Sequence, residues 1–443
     1  MDPKTIERLR QIIACIERRS RTAVTRPDEE DTGPGRWAGL EREDGRHSPG
    51  LPSEALYPPC PSPTSVTAPA AGVKLLTYHL SPGDYPSLGD CSADDVLNLF
   101  RDVGLLPGVA DCASSRDLGA PAPPVFLDLE TTALGGAGTL PFLAGVGYWC
   151  EGKFVVKQFL LEERSAEVSL LENLAPELRS SLLVTFNGKC FDIPVLRDRF
   201  ILSGAGPFPA PGAHLDLYSV ARRLGRKPGY TWSLGQCEAR YLGFRRTGDI
   251  SSRAVPALYF MYERERDESI LKPVLRHNLM DVVAMASLAG VFCDIMQAGT
   301  RSSSDPEALL GAARIHAASK RYDRAKACLE AALAYPYSSL GSTPEFRHLL
   351  ADVLWKLGER RRAAGLMEDL MREGFLDKYR YARLSAYYER SGDLQKALAV
   401  LEYALGKLTR QTKDGKLTES LRRKALRLRK RLYGMPLRCV PPE

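Results

Sequence analysis

Apolar residues are densest between positions 125 and 187. VFLDLE at 125–130, LAGVGYWC at 143–150, FVVKQFLL at 154–161 and LLVTFN at 182–187 are short apolar runs bounded by Gly, Asn and charged residues, the pattern of buried strands. The first three follow one another across short turns and helical spacing begins after 165, so the order β-β-β-α-β-α predicts a mixed sheet covered by helices. Upstream, residues 93–103 predict one helix, with Ser92 as N-cap and Asp94 and Asp95 in its first turn. Residues 1–20 place Ile6, Leu9, Ile13 and Ile16 on one side of a short helix. Nine prolines and six glycines among residues 21–72 leave too little apolar surface to order that stretch.

After 304 the pattern becomes purely helical, rich in Ala and Leu. RAKACLEAAL at 324–333, RAAGLMEDLM at 362–371 and KALAVLEYAL at 396–405 align on Glu330, Glu368 and Glu402, in steps of 38 and 34 residues. A helix-turn-helix unit of about 34 residues is the tetratricopeptide signature. GDLQKAL at 392–398 is the clearest instance, and Trp355, Leu357 and Gly358 mark the middle unit. The expected organisation is a tether over 1–72, an N-terminal extension over 73–122, an α/β domain over 123–298 and helical repeats over 304–434 that close on a basic helix.

Composition adjusts this picture little. With 443 residues, 44% hydrophobic and 26% charged, the chain belongs with soluble globular proteins of two or three domains. The uncharged run 131–150 contains five glycines and Pro141, which fits a loop and buried strand and not a membrane span. Ten cysteines lie at least 21 residues apart, which excludes C-x-x-C zinc or redox pairs; reduced thiols and a cytoplasmic location are expected. Net charge is +7, yet residues 406–431 alone carry +9, so basicity is local and points to a polyanion.

Candidate chemistry rests on three short patterns. Asp128 and Glu130 stand two apart on a predicted strand, so both carboxylates leave one face and invite a divalent cation. D-x-E also occurs at Asp28/Glu30 and Asp305/Glu307, but only the pair at 128 and 130 follows an apolar strand. Asp192 begins a helix after the strand at 182–187, as an N-cap or as a carboxylate aimed at the same pole. His277 and Asp281 lie four apart in KPVLRHNLMDVVAMASLAGVF, on one face of a helix.

Together these motifs resemble the DEDD 3′ to 5′ exonucleases of the ribonuclease-H-like fold, and specifically the YprB-like family. LDLETT, NGKCFDIPVL, HLDLYSVARRL and HNLMDV carry the resemblance, over residues 124–297, and the helical repeats resemble that family's arrangement. The resemblance implies that Asp128, Glu130, Asp192 and Asp281 hold two Mg²⁺ or Mn²⁺ ions and that His277 positions or deprotonates a water. Thr131 and Asn187 match positions near the substrate strand, or else cap turns. The sequence departs from the pattern twice: His277 has the histidine of one subgroup at the spacing where the other places tyrosine, and GDISS at 248–252 replaces a Pro-Gly turn.

His214 and Asp216 read as buried structural hydrogen-bonders. Arg222, Arg223, Arg226, Lys227, Arg240, Arg245 and Arg246, with Tyr230 and Trp232, form either a strand-binding edge or a solvated helix surface. In the tail, Leu417, Leu421, Ala425, Leu428 and Leu432 line one helix face, and Arg422, Arg423 and Arg427 lie on the other, for phosphates or for water. Phosphate-loop, H-E-x-x-H, G-x-S-x-G and G-x-G-x-x-G motifs are absent. The expected activity is metal-dependent hydrolysis of single-stranded DNA or RNA, with the repeats taking a protein partner or placing the substrate. The alternative is an inactive binding scaffold.

Overall fold

The computed structural model describes residues 61–434, except 86–87, 90, 104–109, 113–123, 134–137, 180–181, 226–231, 244, 299–304, 336–338 and 412–414. The helix expected within residues 1–20 lies outside them, as do Arg226, Lys227 and Tyr230. The chain divides into two units, one reaching residue 294 apart from 223–225, the other comprising those three residues and 295 onward.

The first unit is built on a mixed eight-stranded sheet in the order β1-β2-β6-β5-β4-β7-β8-β3. Its strands are β1 (Ser65–Ala70), β2 (Val73–Leu80), β3 (Ala110–Cys112), β4 (Val125–Thr131), β5 (Pro141–Cys150), β6 (Lys153–Leu161), β7 (Leu183–Thr185) and β8 (Ala213–Asp216). The apolar runs give β4 to β7, the central strands. β4 runs parallel to β7, and β7 to β8; the remaining pairs are antiparallel. Helices flank the sheet: α1 (Ala93–Val103), α2 (Glu167–Leu178), α3 (Asp192–Ser203), α4 (Leu217–Leu224), α5 (Leu234–Cys237), α6 (Val255–Glu265) and α7 (Lys272–Met296). Ser92 caps α1, accepting from Asp95 N–H at 3.2 Å while Asp95 Oδ2 accepts from Ser92 N–H at 2.9 Å.

Two expectations need correction. The tether does not extend to 72, because Ser65–Ala70 pairs with β2 as an exposed edge strand; Pro69 is tolerated on an edge, where no donor is needed. Nor does the α/β unit begin at 123, since the extension expected over 73–122 supplies two strands of its sheet. β2 lies along β6 in register from Val73↔Leu161 to Leu80↔Phe154, and β3 closes the far edge on β8.

α7 is long and apolar enough to cross a bilayer, but 89% of its most apolar window is buried inside the protein. It is a core helix.

The second unit is helical: α8 (Pro306–Ala318), α9 (Tyr322–Leu333), α10 (Pro344–Lys356), α11 (Arg360–Arg372), α12 (Lys378–Arg390), α13 (Leu394–Gln411) and α14 (Gly415–Tyr433). α8 packs on α9, α10 on α11 and α12 on α13, with α14 on α13. Each pair is joined by a three-residue turn whose middle residue is left-handed: Lys320, Gly358 and Gly392. The same backbone bond closes each turn, from Arg321 N–H to His316 O, Glu359 N–H to Leu354 O and Asp393 N–H to Tyr388 O, at 2.8–2.9 Å. These turns recur at the 38- and 34-residue steps of the sequence repeat. Leu421, Ala425 and Leu428 of α14 are buried.

Candidate functional site

Asp128 and Glu130 project from one face of β4. Opposite Asp128 in β5 stands Gly145, and opposite Phe126 stands Gly147. A Cβ on Gly145 would fall on Asn278 Oδ1, and one on Gly147 would stand 2.5 Å from Val282 Cγ1. The two missing side chains let α7 lie against β5, which carries residues 277–282 over the acidic pair. There the fully buried Asn278 donates from Nδ2 to Asp128 Oδ2 at 2.8 Å and to Asp128 O at 3.1 Å. Its Oδ1 accepts from Gln158 Nε2 at 2.8 Å, and Gln158 Oε1 accepts from Tyr78 O–H at 3.0 Å. A buried polar chain thus runs from β2 to Asp128.

Asp192 opens α3 and is buried. Its carboxylate takes a backbone N–H at the start of its own helix, and Oδ1 accepts the N–H of Leu129 at 3.1 Å. β7 ends at Thr185, so this donor lies beyond the reach of the parallel strand and the carboxylate satisfies it. The intervening turn is fixed by Asp216, which accepts from the backbone N–H of Asn187 at 2.8 Å and of Tyr218 at 3.0 Å. Asn187 itself is left-handed (φ 65°) and exposed. His214 Nε2 and Thr185 Oγ1 lie 2.8 Å apart in the interior. Thr131 Oγ1 donates to Ala133 O at 2.7 Å, which turns the chain after β4.

His277 Nε2 lies 3.9 Å from Glu130 Oε1, 3.8 Å from Asp281 Oδ2 and 3.3 Å from Ser252 Oγ. Its Nδ1 lies 2.9 Å from each oxygen of Asp249. Arg246 Nη1 donates to Asp281 Oδ1 and, at 3.1 Å, to Asp249 Oδ2, while Nε donates to Glu238 at 2.9–3.0 Å. α7, the loop 246–252 and the π-helical turn Glu238–Leu242 that continues α5 are thereby tied together.

Proton affinities reflect this crowding. Burial, then the charges of Asp281, Glu130 and Asp192, hold Asp128 well above the usual carboxylate range. Burial pushes Glu130 up to about 8 against the pull of His277, and Asp192 up to about 7 against its backbone donors. Glu238 rises to about 7 by burial, opposed by Arg246. Burial opposes charge on His277, but Asp249, Asp281 and Glu130 outweigh it and lift the ring to about 10. Asp249 goes the other way, to about 2, because His277 and Arg246 overcome its burial.

The carboxylates that could hold a cation are those of Asp128, Glu130, Asp192 and Asp281. Among the described residues no three His, Cys, Asp or Glu side chains form a ready-made metal cluster. The donor chemistry still fits Mg²⁺ or Mn²⁺, since these are hard oxygen ligands whose burial and mutual repulsion a divalent charge relieves.

Several residues differ from their sequence reading. Arg246 belongs neither to a strand-binding edge nor to a solvated surface; it is an internal ion-pair partner, only 11% exposed. Trp232 is buried, with Arg240 over its ring at 5.2 Å. Arg422 and Arg423 are exposed on α14, but Arg427 and Arg431 both reach Glu389 and Arg429 reaches Glu402, so acids of α12 and α13 offset much of that face. Asn278, Gln158 and Asp249 were not foreseen as site residues, and Arg246 was read only as part of a basic stretch. The signals were present: Asn278 adjoins His277, and Asp249 sits in the segment that departs from the family pattern.

The RNase_H superfamily model RNase_H_2 matches residues 125–293. The chain is 32% identical over 286 residues to the uncharacterized protein YprB of Bacillus subtilis (strain 168), covering 63% of this chain and 68% of that protein. Among solved structures, the family B DNA polymerase from the hyperthermophilic archaeon Pyrobaculum calidifontis is 12% identical, with a TM-score of 0.30, over 58% of this chain and 50% of the polymerase. Likeness that slight carries no argument, and the chain spans only half of that enzyme.

Proposed function

Because the chain belongs to the family of Bacillus subtilis YprB and has an RNase_H superfamily domain over residues 125–293, we propose that it is a metal-dependent nuclease of the DEDD type, acting 3′ to 5′ on single-stranded nucleic acid. The observation that carries this reading is the convergence of Asp128, Glu130, Asp192, His277 and Asp281, from three distant segments, at one pole of the sheet. When bound, two Mg²⁺ or Mn²⁺ ions would supply Lewis acidity to the phosphate and acidify a water. Asp128, Glu130, Asp192 and Asp281 are the residues that would hold them. Hydrolysis adds water oxygen to phosphorus and breaks the P–O3′ bond; with the charges of Glu130 and Asp281, which hold the ring protonated, offset by bound cations, His277 would accept the water proton at Nε2. Asn278 and the Leu129 N–H orient Asp128 and Asp192. Thr131 and Asn187 flank the approach of the strand through backbone and turn geometry.

The paired helices α8 to α13 fit tetratricopeptide-type units, which we assign to a protein partner or to placing the substrate, in a cytoplasmic setting. A second reading, an inactive nucleic-acid-binding scaffold, draws on the ion pair between Arg246 and Asp281, which already compensates one of the acids. End-labelled single- and double-stranded DNA and RNA, incubated with Mg²⁺ or Mn²⁺ and resolved by length, separate the two. A one-nucleotide ladder from the 3′ end that chelation abolishes is expected; binding without cleavage favours the scaffold.

A further inference from the structure

The two departures from the family pattern, His277 on α7 and GDISS at 248–252, meet in space. Both carboxylate oxygens of Asp249 stand 2.9 Å from His277 Nδ1. A carboxylate only accepts, so the proton of this bond belongs to Nδ1. The opposite nitrogen, Nε2, then faces Glu130 and Asp281, with Ser252 Oγ at 3.3 Å. Asp249 in turn is fixed by Arg246, whose Nη1 also donates to Asp281 and whose Nε is anchored on the buried Glu238. One guanidinium therefore sets the distance between the loop that orients the histidine and the helix that carries it.

We propose that Asp249 is a positioning residue that acts through His277, fixing its ring plane and its Nδ1–H tautomer so that Nε2 is presented to the acidic cluster, with Arg246 and Ser252 as supports. This rests on the nuclease reading for its consequence, but not for its geometry. An adjacent carboxylate that selects the tautomer is a general way to aim an imidazole. It also explains how a histidine serves at the spacing where a tyrosine is usual: the loop departure supplies the partner that a phenol would not need.

Two measurements on the full-length protein decide it. In the first, kcat and KM on an end-labelled oligonucleotide are compared for wild type, Asp249→Asn, His277→Ala and the double variant. Asp249→Asn should lower kcat by about 10²-fold, within the range for lost acid–base assistance, with KM and the Mg²⁺ half-saturation unchanged. Asp249→Glu should restore part of the loss, and Asp249→Asn should cost nothing further once His277 is alanine, because residues that act as a unit are non-additive. Multiplicative losses, or a shift in Mg²⁺ dependence in place of kcat, overturn the proposal. The second needs no activity. In the ¹⁵N-histidine-labelled protein, a downfield ring N–H proton should vanish in His277→Ala and move upfield in Asp249→Asn, where an amide replaces the carboxylate acceptor. A His277 signal indifferent to Asp249→Asn overturns the dyad. An inactive wild type that shows the expected shift leaves the dyad standing and removes the nuclease reading.

Discussion

Gly145→Ala tests whether the close approach of α7 to β5 builds the site. The new methyl group would land on Asn278 Oδ1. Backbone of a central strand cannot retreat, so the amide must move. Overpacking of this kind costs about 1–3 kcal/mol. Displacing Asn278 also strips Asp128 Oδ2 of its 2.8 Å donor and takes one of two acceptors from Gln158 Nε2, and an unsatisfied buried polar group costs about 1–3 kcal/mol more. A total of roughly 2–6 kcal/mol follows for Gly145→Ala. In a unit of this size that is a fall in Tm of roughly 4–24 °C, by about 2–4 °C per kcal/mol. Asn278→Ala alone should cost about 1–3 kcal/mol. In the double variant the methyl meets open space, so the combined loss should fall short of the sum by at least about 1 kcal/mol. Urea unfolding of the four proteins measures this directly. Strict additivity, or an unchanged midpoint for Gly145→Ala, would refute the view that glycine at 145 exists to admit Asn278.

Three further outcomes follow from the same structure. Asp281→Asn should reduce Mg²⁺-dependent cleavage by at least about 10³-fold with the fold retained, as read by circular dichroism and single-turnover rates; a folded, near-normal enzyme would remove Asp281 from the site. Glu130 and Asp192 bind protons more tightly in the folded chain than in the unfolded one, at about 8 and about 7, and His277 does so too, at about 10. Stability from such raised groups is complete below the unfolded values and is lost as pH rises through the folded ones. Metal-free Tm should therefore fall between pH 6 and 9 and Mg²⁺ should flatten the slope, whereas a metal-free Tm rising over that window would contradict the crowding described. On α14, Arg422→Glu with Arg423→Glu should flatten the salt dependence of oligonucleotide Kd without touching the rate of bond breaking, while Arg427→Glu places a second acid beside Glu389 and should lower Tm as well; superimposable salt slopes would make the helix a plain end to its stack.

The parts of the fold that were legible are those where one physical term dominates. β4, β5 and β6 are buried on both faces, so continuous apolar runs announce them; the C-terminal helix pairs are announced by similar Ala- and Leu-rich stretches that recur in steps of 38 and 34 residues. β1 could not be read, since SVTAPA is exposed, contains proline and owes its conformation to a partner strand. β8 is only four residues long, below the length at which alternation has meaning, whereas the equally short β7 was read from the apolar run LLVTFN around it. The acids were legible because D-x-E on a strand and H-x-x-x-D on a helix fix direction locally. Asp249 and Arg246 were not, because their partners lie 28 and 35 residues away, and a loop has no periodicity from which to infer where a side chain points. Charge counting misled at Arg246: seven basic residues against the single acid Glu238 looked like a surface, whereas the buried guanidinium answers Glu238 itself, Asp249 just beyond the stretch and Asp281 on α7.

The placement of β1, β2 and β3 has a consequence for how the protein comes into being. These strands form both margins of the sheet, yet they leave the ribosome before any strand they border within its centre. β2 cannot dock until Phe154–Leu161 has been made, and β3 must wait for Ala213–Leu215. Pairings so distant along the chain close slowly, because loop entropy is lost before contacts compensate it. Meanwhile the nascent chain exposes open strand edges, the state most exposed to intermolecular pairing. A fragment beginning at 124, although it contains every acidic residue of the site, would carry β6 and β8 as permanent bare margins and would lack the Tyr78 hydroxyl that steadies Gln158 and, through it, Asn278 and Asp128. The boundaries of the chemistry and the boundaries of the foldable unit are different places in this sequence.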